Sequence, residues 1–439
     1  MGEGTFVKPA GRAHARAHAH AGVDWLLIGT VTGLVLFGLI MVYSSSTKFS
    51  AEIDQPAHYF LLRQFIWAIV GGVAATVLSF VNYHYYRAFS VLMMIVTIVL
   101  LVAVVVIGDL TYGAIRSLTE GSIRPSELAK LVTILYVSVW LNAKRDVLHE
   151  MSLGLVPLMM ILGLVGGFIL IQPDLSAAFT VLTLGCILFF LSGGQLRQIM
   201  MVVVPMGLMG WAVVNLYPTG VDRITRYLAG LNNPLDASYH VQRSLEAIIN
   251  GGALGVGIGH GGTKFTGLPV ALTDSIFAVI TEETGLLGAG AIIAAYILIL
   301  WRGLSIARRA VDPLGALIAS GITIWIAIEG LINMAVMVNL LPHAGNALPF
   351  ISYGGTHLLM TLAGIGILIN ISRTASQSAN GMHAARNSYS AWSSYSIWNK
   401  NSMVRQARGG GNPFGAVIDL RWRDRGRRIS RSSRSAGSR

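Results

Sequence analysis

Ten apolar runs, separated by polar segments, are the feature that most limits how this chain can fold. A helix needs about 20 residues to cross the hydrocarbon core of a bilayer, and most of these runs approach or exceed that length. Inside a bilayer a helix satisfies its own backbone hydrogen bonds, so apolar runs of this length predict helices. The predicted spans are Trp25–Tyr43, Phe60–Val81, Ala88–Gly108, Leu128–Leu141, Leu155–Ile171, Leu175–Leu191, Ile199–Leu216, Ile276–Trp301, Leu314–Leu341 and Leu358–Ile371.

The composition agrees with an all-α polytopic membrane protein. Of the 439 residues, 54% are hydrophobic and only 12% are charged, against roughly 25% charged in soluble domains. The fourth, fifth and sixth runs are short, and we expect these helices to extend into their polar flanks. The sequence contains no Walker loop, nucleophile elbow or His/Cys cluster with metal-ligand spacing, which argues against an ATP-driven pump and a zinc enzyme.

The basic C-terminal tail indicates the orientation of the chain. From Ile371 onward there are 13 Lys and Arg and two Asp, a net charge of +11. Basic segments stay in the cytoplasm, and an even number of spans then places both termini there. We predict a cytoplasmic N-terminal tail over 1–23, a ten-helix membrane domain over 24–373, and a basic, disordered cytoplasmic tail over 374–439. The first helix has no small-residue cleavage site and is expected to be retained.

The tail is rich in Ser, Arg and Gly. Such a segment is attracted to anionic membrane lipids, at about 1 kcal/mol for each basic residue near the surface. Nucleic-acid binding is the less favoured interpretation of the same composition.

The largest external loop covers residues 218–274, between the seventh and eighth helices, and it contains two helical stretches. These are Arg223–Leu231 and Val241–Ile249. In the second stretch Val241, Leu245, Ile248 and Ile249 form one stripe, with Arg243 opposite. Amphipathic helices of this kind lie in the headgroup plane.

Asp274 ends this loop, directly before an apolar helix. A charge at the membrane edge is costly to bury and contributes nothing to packing, so it indicates a chemical role, and a general base is the one we favour. Deeper in the apolar runs, Glu282, Glu283 and Glu329 are expected to form internal hydrogen bonds. The glycine-rich segment 251–262 lacks a preceding strand, which excludes a dinucleotide fingerprint and favours tight turns or close backbone approach.

The other external loops carry further polar residues. Ser126 is predicted to cap the fourth helix and Asp174 the sixth. Glu127 and Lys130 share one helical face. This spacing is equally consistent with an ion pair and with Lys130, or Arg116, contacting an anionic group of a substrate.

Taken together, these motifs resemble the SEDS family (shape, elongation, division and sporulation) over roughly Asp24 to Arg373. The matching segments are Gly113-Ala114 with Arg116, Pro125-Ser126-Glu127-Leu128-Ala129-Lys130, Gln172-Pro173-Asp174-Leu175, Leu268-Pro269 with Thr273-Asp274 and Ile276-Phe277-Ala278-Val279, Glu282-Glu283, and Leu348-Pro349-Phe350 with Ser352-Tyr353-Gly354-Gly355. The chain departs from the family at Val270-Ala271-Leu272, Ser117, Arg124 and Arg243.

The resemblance implies a ten-helix peptidoglycan glycosyltransferase of the bacterial cytoplasmic membrane. It would polymerise lipid II on the outer face, with a class B penicillin-binding transpeptidase and other division or elongation proteins as partners. A divalent cation, Mg²⁺ or Mn²⁺, is a possible cofactor, and no metal ligands are identified. The implied site residues are Asp274 as the catalytic aspartate, with Arg116, Glu127, Lys130 and Asp174 at or near the substrate. Arg243, although it departs from the family, and Thr273 are further candidates for substrate binding. Candidates around the cavity are Glu282, Glu283, Ser352, Tyr353, Gly354 and Gly355.

Two other interpretations of these patterns stay open. A lipid II flippase or other transporter would also have ten spans with intramembrane acids, although its polar groups would be spread through the bilayer depth. A non-catalytic scaffold for the transpeptidase is the third. The long basic tail slightly favours a role in division over elongation.

Overall fold

The computed structural model describes residues 22–107, 109–111, 114–117, 124–148, 150–172, 174–216, 218–342 and 345–378. The described chain is almost entirely helical, as the apolar runs predict. Its α-helices are α1 (Trp25–Glu52), α2 (Tyr59–Phe80), α3 (Tyr86–Ile107), α4 (Pro125–Ala143), α5 (Val156–Ile171), α6 (Leu175–Leu191), α7 (Leu196–Leu216), α8 (Pro218–Asn232), α9 (Tyr239–Gly251), α10 (Ile276–Arg309), α11 (Pro313–Met337) and α12 (Gly355–Ser378).

Each predicted span corresponds to one of these helices, with changes at several boundaries. Six of the described helices, α1, α2, α3, α10, α11 and α12, are long and apolar enough to cross a membrane. The first is longer than predicted, so the residues from Ser44 to Glu52, expected in a loop, are helical. The short fourth and sixth runs are expected to extend into their polar flanks. Helix α4 does extend, whereas α6 ends at Leu191 and the expectation is wrong there, because Ser192 lies at its C-cap position. A π-helical turn, Met151–Leu155, precedes α5.

The predicted capping residues are correct in one case and wrong in the other. The Asp174 side chain accepts from the backbone N–H of Ala177 and caps α6. Helix α4 instead begins directly at Pro125, and Arg124 at its N-cap position makes no side-chain capping bond. Ser126 lies inside the first turn, where its hydroxyl donates to Asp174 at 3.3 Å.

Helix α10 is interrupted near its start, although the sequence predicts one continuous span. Gly285 has φ +69° and ψ −174°, values outside the helical region. A Cβ added there would lie 2.4 Å from the carbonyl oxygen of Ala253. Only glycine therefore allows the glycine-rich segment to pack against α10 at this point.

That segment is held by backbone hydrogen bonds to the broken part of α10. The N–H groups of Val256 and Gly257 each donate at 3.0 Å to the carbonyl oxygens of Glu282 and Glu283, respectively. The chain turns through positive φ at Gly255, Gly257 and Gly259, among others, as expected for tight turns. The glycines thus bring the backbone close to the protein's own carbonyl groups.

Helix α11 lies at the centre of the bundle and packs against α4, α6, α9 and α10. Trp325 on this helix is fully buried. Close approach depends on small residues, since a Cβ at Gly321 would lie 2.6 Å from the Ile134 side chain of α4. Small residues at helix contacts are typical of membrane proteins, where apolar lipid removes most of the hydrophobic drive for helix association.

Two local features differ from the sequence prediction. Strands β1 (Asp109–Thr111) and β2 (Ala114–Ser117) form a short antiparallel hairpin before α4. Both loop helices exist, but apart from Val241 the apolar stripe of α9 is not the face that is buried against the protein. Ile249 is 76% exposed, and the buried face consists of His240, Val241, Ser244, Ala247 and Gly251. Tertiary packing selects small and polar residues there because α9 lies closely against α10 and α11.

Candidate functional site

Asp274 lies in a turn that ends immediately before α10, and its backbone is fixed by two side chains. The Nδ2 group of Asn333 on α11 donates to the Asp274 carbonyl oxygen at 2.8 Å and to that of Asn346 at 2.6 Å. The Ser352 hydroxyl donates to the carbonyl oxygen of Thr273 at 2.6 Å. The main chain around Asp274 is therefore anchored on both sides.

The Asp274 carboxylate is half-buried and unpaired. It has no hydrogen-bond or salt-bridge partner among the residues that the structure describes. Its Oδ2 atom faces Gly345, where an added Cβ would lie 3.4 Å away. A carboxylate on a fixed backbone, without a partner of its own, has its acceptor positions available to a ligand.

The Ser352–Gly355 motif forms the support for this turn. The Tyr353 N–H donates to the carbonyl oxygen of Leu272 at 2.9 Å. Gln64 on α2 accepts from the Gly354 N–H and donates to the Ser352 carbonyl oxygen, both at 3.2 Å. Burial raises the pKa of Tyr353, which keeps its hydroxyl protonated at neutral pH. The motif thus positions the residues around Asp274 through backbone groups.

The same motif brings Gly355 into close contact with α2. A Cβ added at Gly355 would lie 2.3 Å from the indole ring of Trp67. The absence of a side chain at this position lets the start of α12 reach the neighbouring helix.

A second group of side chains is buried between α4, α11 and α12. The Lys130 ammonium donates to Glu127 at 2.8 Å and also to Glu329. His357 Nδ1 lies 2.8 Å from the same Glu127 oxygen, and 3.9 Å from a Glu329 oxygen. All four side chains are at least 89% buried. The expected ion pair between Glu127 and Lys130 is thus present, and two residues distant in sequence extend it.

The charges of this cluster do not cancel when His357 is neutral. Two carboxylates and one ammonium leave a net charge of −1. Ionised Glu127 can only accept hydrogen bonds, so His357 Nδ1 carries the hydrogen between them. Among the described atoms, Glu329 Oε2 and His357 Nε2 are buried without a hydrogen-bond partner. These two atoms of the cluster can therefore accept further hydrogen bonds.

A divalent cation does not fit this cluster as it stands. Glu127, Glu329 and His357 each offer a ligand atom, within 4.8 Å of one another, and they are the one such group in the described part of the chain. The Lys130 ammonium, however, already bonds both carboxylates, and an adjacent divalent ion would be repelled by it. Mg²⁺ also prefers an octahedral set of oxygen ligands, including several waters.

Helix α11 connects the buried cluster to the Asp274 turn. Glu329 and Asn333 are one helical turn apart, about 6 Å along the axis at 1.5 Å per residue. The first side chain binds Lys130, and the second holds Asp274. On the other side of the cluster, Ser126 in the first turn of α4 donates to Asp174. The structure therefore joins Asp274, Thr273, Lys130, Glu127 and Asp174 through one chain of contacts.

Glu282 and Glu283 form a separate structural group beneath the glycine-rich segment. Glu282 accepts at 3.0 Å from the backbone N–H groups of Gly262 and Thr263. Glu283 pairs with Lys264 at 2.6 Å and accepts from the Ser44 hydroxyl of α1. As expected for intramembrane acids, they are hydrogen-bonded internally, and both are almost completely buried.

The arginines expected near the substrate have different surroundings. Arg243 binds Glu246 at 2.6 Å and the Thr266 carbonyl oxygen at 3.0 Å. The backbone of Arg116 lies in β2, while its side chain is outside the described part of the structure. Arg124, directly before α4, is exposed, and its guanidinium has no partner among the described residues.

Sequence reasoning did not include His357 or Asn333 among the site residues. His357 lies two residues after the Ser352–Gly355 motif, and this position could have marked it as part of the site. Asn333 carries no motif of its own. Its role follows from a contact with Asp274 across 59 residues of sequence.

Comparison with known proteins identifies the family to which this chain belongs. The model of the FtsW/RodA/SpoVE cell cycle proteins matches residues 24–377. The chain is 38% identical over 359 residues to the probable peptidoglycan glycosyltransferase FtsW of Trichlorobacter lovleyi, covering 80% of this chain and 93% of that protein. It is 34% identical over 355 residues to the stage V sporulation protein E of Bacillus subtilis, covering 80% and 97%.

Solved structures agree with this family in fold. A peptidoglycan synthase complex, described as coordinating polymerization and crosslinking, contains a chain that matches with a TM-score of 0.66 at 25% identity, covering 80% of this chain and 98% of that one. The rod shape determining protein RodA of Thermus thermophilus matches with a TM-score of 0.60, at 24% identity and with 80% and 97% covered. The chain therefore belongs to the FtsW/RodA/SpoVE family, which confirms the SEDS resemblance, and it is a multi-pass protein of the cytoplasmic membrane.

Proposed function

We propose that this chain is a peptidoglycan glycosyltransferase of the FtsW type, acting in cell division, with Asp274 as its general base. Curated relatives at 34–38% identity named as probable peptidoglycan glycosyltransferases support the activity. The observation that carries the catalytic role is the half-buried carboxylate of Asp274, which has no partner among the described residues and lies on a backbone fixed by Asn333 and Ser352. A base needs a fixed position and a free acceptor, and Asp274 has both.

The reaction joins two lipid-linked disaccharides, and lipid II is the substrate that we propose. Asp274 takes the proton from the 4-hydroxyl of the acceptor sugar while that oxygen attacks the anomeric carbon of the donor. The bond from this carbon to the polyprenyl pyrophosphate breaks, and the pyrophosphate leaves with the bonding electrons. Attack opposite the leaving group inverts the configuration at the anomeric carbon.

The departing pyrophosphate needs nearby positive charge. Arg124 is suited to this role, because its guanidinium is unpaired in the described structure and lies at the N-terminus of α4, where the helix dipole also favours anions. Arg116 and Arg243 are further candidates. Lys130 already binds two carboxylates, and it acts here as a positioning residue that fixes α4 against α11.

The topology and the partner follow from the same proposal. Ten helices cross the membrane, both termini are cytoplasmic, and the 218–274 loop lies outside, where the lipid-linked sugars are polymerised. The partner is a class B penicillin-binding transpeptidase. The fold match to a synthase complex that combines polymerization with crosslinking supports such a partner.

The test is polymerisation of purified lipid II in detergent, read as glycan chains on a gel. Asp274→Asn keeps the size and shape of the side chain but removes the base, and we expect the rate to fall by about 10²–10⁴. Asp222→Asn is the matched control, because Asp222 lies in the same loop and is exposed in a surface pair with Arg226. Its activity should equal that of the wild type.

Two outcomes would contradict the assignment. Wild-type activity in Asp274→Asn would exclude Asp274 as the base. Absence of product from the wild-type protein, alone and with the co-purified transpeptidase, would exclude the enzyme and favour a transporter or a scaffold.

A further inference from the structure

A cavity lies at the end of the bundle opposite to Asp274. It has a volume of about 790 Å³ and lies between the C-terminal ends of α4, α6 and α10 and the start of α11. About 30 residues of α10 separate it from Asp274, which is up to roughly 45 Å along the helix. The cavity is therefore too far away to be part of the glycosyltransferase site.

The walls of this cavity are mostly apolar. Its apolar lining includes Leu141, Leu191, Leu304 and Leu317. No aromatic side chain is among the described residues that line it, so it offers no surface on which a nucleobase could stack. A pocket of 300–1,000 Å³ is the usual size for a bound small molecule or lipid headgroup.

Two arginines give the cavity an excess of positive charge. Arg145 and Arg308 line it, and neither guanidinium has an ion-pair or hydrogen-bond partner in the described structure. Asp312 is the acidic residue of the lining, and it is already bonded to Tyr83 at 2.7 Å and to His84 at 3.1 Å. The two guanidinium groups are therefore available to an anion.

The positive charge of the cavity, its apolar walls and its position at the helix ends together indicate the class of ligand. Guanidinium groups bind phosphate through two parallel hydrogen bonds, and unpaired arginines at helix ends are well placed for this. The apolar walls accept hydrocarbon, and the helix ends of a membrane bundle lie at the level of the lipid headgroups. A free inorganic anion would bind the arginines but leave the apolar walls exposed to water.

We propose that this cavity binds an anionic phospholipid, with Arg145 and Arg308 on the phosphate and the first acyl carbons against the leucines. The lipid would fill the space between α4, α6 and α10 at the headgroup level. Phosphatidylglycerol is the probe that tests this, with phosphatidylcholine, which carries the same phosphate but no net charge, as the comparison.

The experiment measures lipid retained by the full-length purified protein with native mass spectrometry, after titration with each lipid. We expect the wild type to bind phosphatidylglycerol at least tenfold more tightly than phosphatidylcholine. In the double variant Arg145→Gln, Arg308→Gln the affinity for phosphatidylglycerol should fall by roughly 10-fold to 100-fold, the loss expected for hydrogen bonds to charged groups, and the preference over phosphatidylcholine should disappear. Circular dichroism establishes that the variant remains folded.

The matched control is the double variant Lys144→Gln, Arg309→Gln. It removes the same charge from the neighbouring positions, which do not line the cavity. The control should keep the wild-type preference. An equal loss in both variants would mean general surface attraction, and an unchanged preference in the cavity variant would mean that the lipid binds elsewhere.

Competition with inorganic phosphate distinguishes a site for a lipid phosphate from a site for free phosphate. If 10 mM phosphate removes bound phosphatidylglycerol completely, the arginines form a simple phosphate site and the lipid proposal fails. Retention of the lipid under these conditions supports a site that also recognises the acyl chains.

Discussion

Removal of the Lys130 ammonium should strongly destabilise the membrane domain. The Lys130 side chain is 4% exposed and binds two carboxylates, those of Glu127 and Glu329. In Lys130→Met both carboxylates remain buried without their ammonium. Removing one partner of a buried ion pair costs about 3–5 kcal/mol.

The repulsion between the two acids gives a similar magnitude. Their closest ligand atoms lie within 4.8 Å of each other. Two unit charges at about 5 Å repel by roughly 3 kcal/mol at an effective dielectric constant of 20. We therefore expect Lys130→Met to lower the free energy of unfolding by about 3–5 kcal/mol, with a fall of several degrees in Tm.

The assay is thermal unfolding of the purified protein in detergent, followed by intrinsic fluorescence. Lys48→Met is the control, because Lys48 forms an exposed pair with Glu52 and its loss should cost at most about 1 kcal/mol. Adding Glu329→Gln to Lys130→Met removes one of the two carboxylates and should restore at least half of the lost stability. If Lys130→Met unfolds at the wild-type temperature, or if Glu329→Gln gives no rescue, the buried charges do not interact as argued.

Two further predictions concern the backbone around the site. Gly285→Ala should destabilise the protein by at least about 2 kcal/mol in the same assay, because φ is +69° there and the added Cβ would lie 2.4 Å from the Ala253 carbonyl oxygen. Gly290→Ala, in open space on the same helix, should instead be neutral or stabilising by up to about 1 kcal/mol, and equal effects at both positions would refute the steric argument. Asn333→Ala should lower the polymerisation rate by about 10- to 100-fold through misplacement of Asp274, with KM little changed. A full rate with the lipid II gel assay would show that Asp274 needs no support from Asn333.

Much of the architecture could be predicted because hydrophobicity is a local property of the sequence. Every predicted span is a helix, and both helices of the 218–274 loop are present. Asp174 caps α6 as predicted, since a capping bond joins residues only three apart. The boundaries were less certain, because a helix can continue through polar residues when tertiary partners satisfy them, as Glu283 does for Ser44.

The buried face of α9 was not predictable in the same way. Periodicity placed Ile249 on the apolar stripe of α9, yet its side chain is exposed, and His240 and Ser244 are buried against the protein. In a membrane protein an exposed apolar side chain can face lipid at no cost. Apolar periodicity alone therefore cannot say which face of a helix meets the protein.

The sequence by itself determined the all-helical membrane architecture, the family motifs and the prominence of Asp274. Only the tertiary structure decided the partners of its charged residues. Lys130 pairs with Glu329, 199 residues away in sequence. The Asp274 backbone accepts a hydrogen bond from Asn333, 59 residues away. The physical reason is that a buried charge must find a partner close in space, and helix packing, which no local pattern encodes, determines which residues come together.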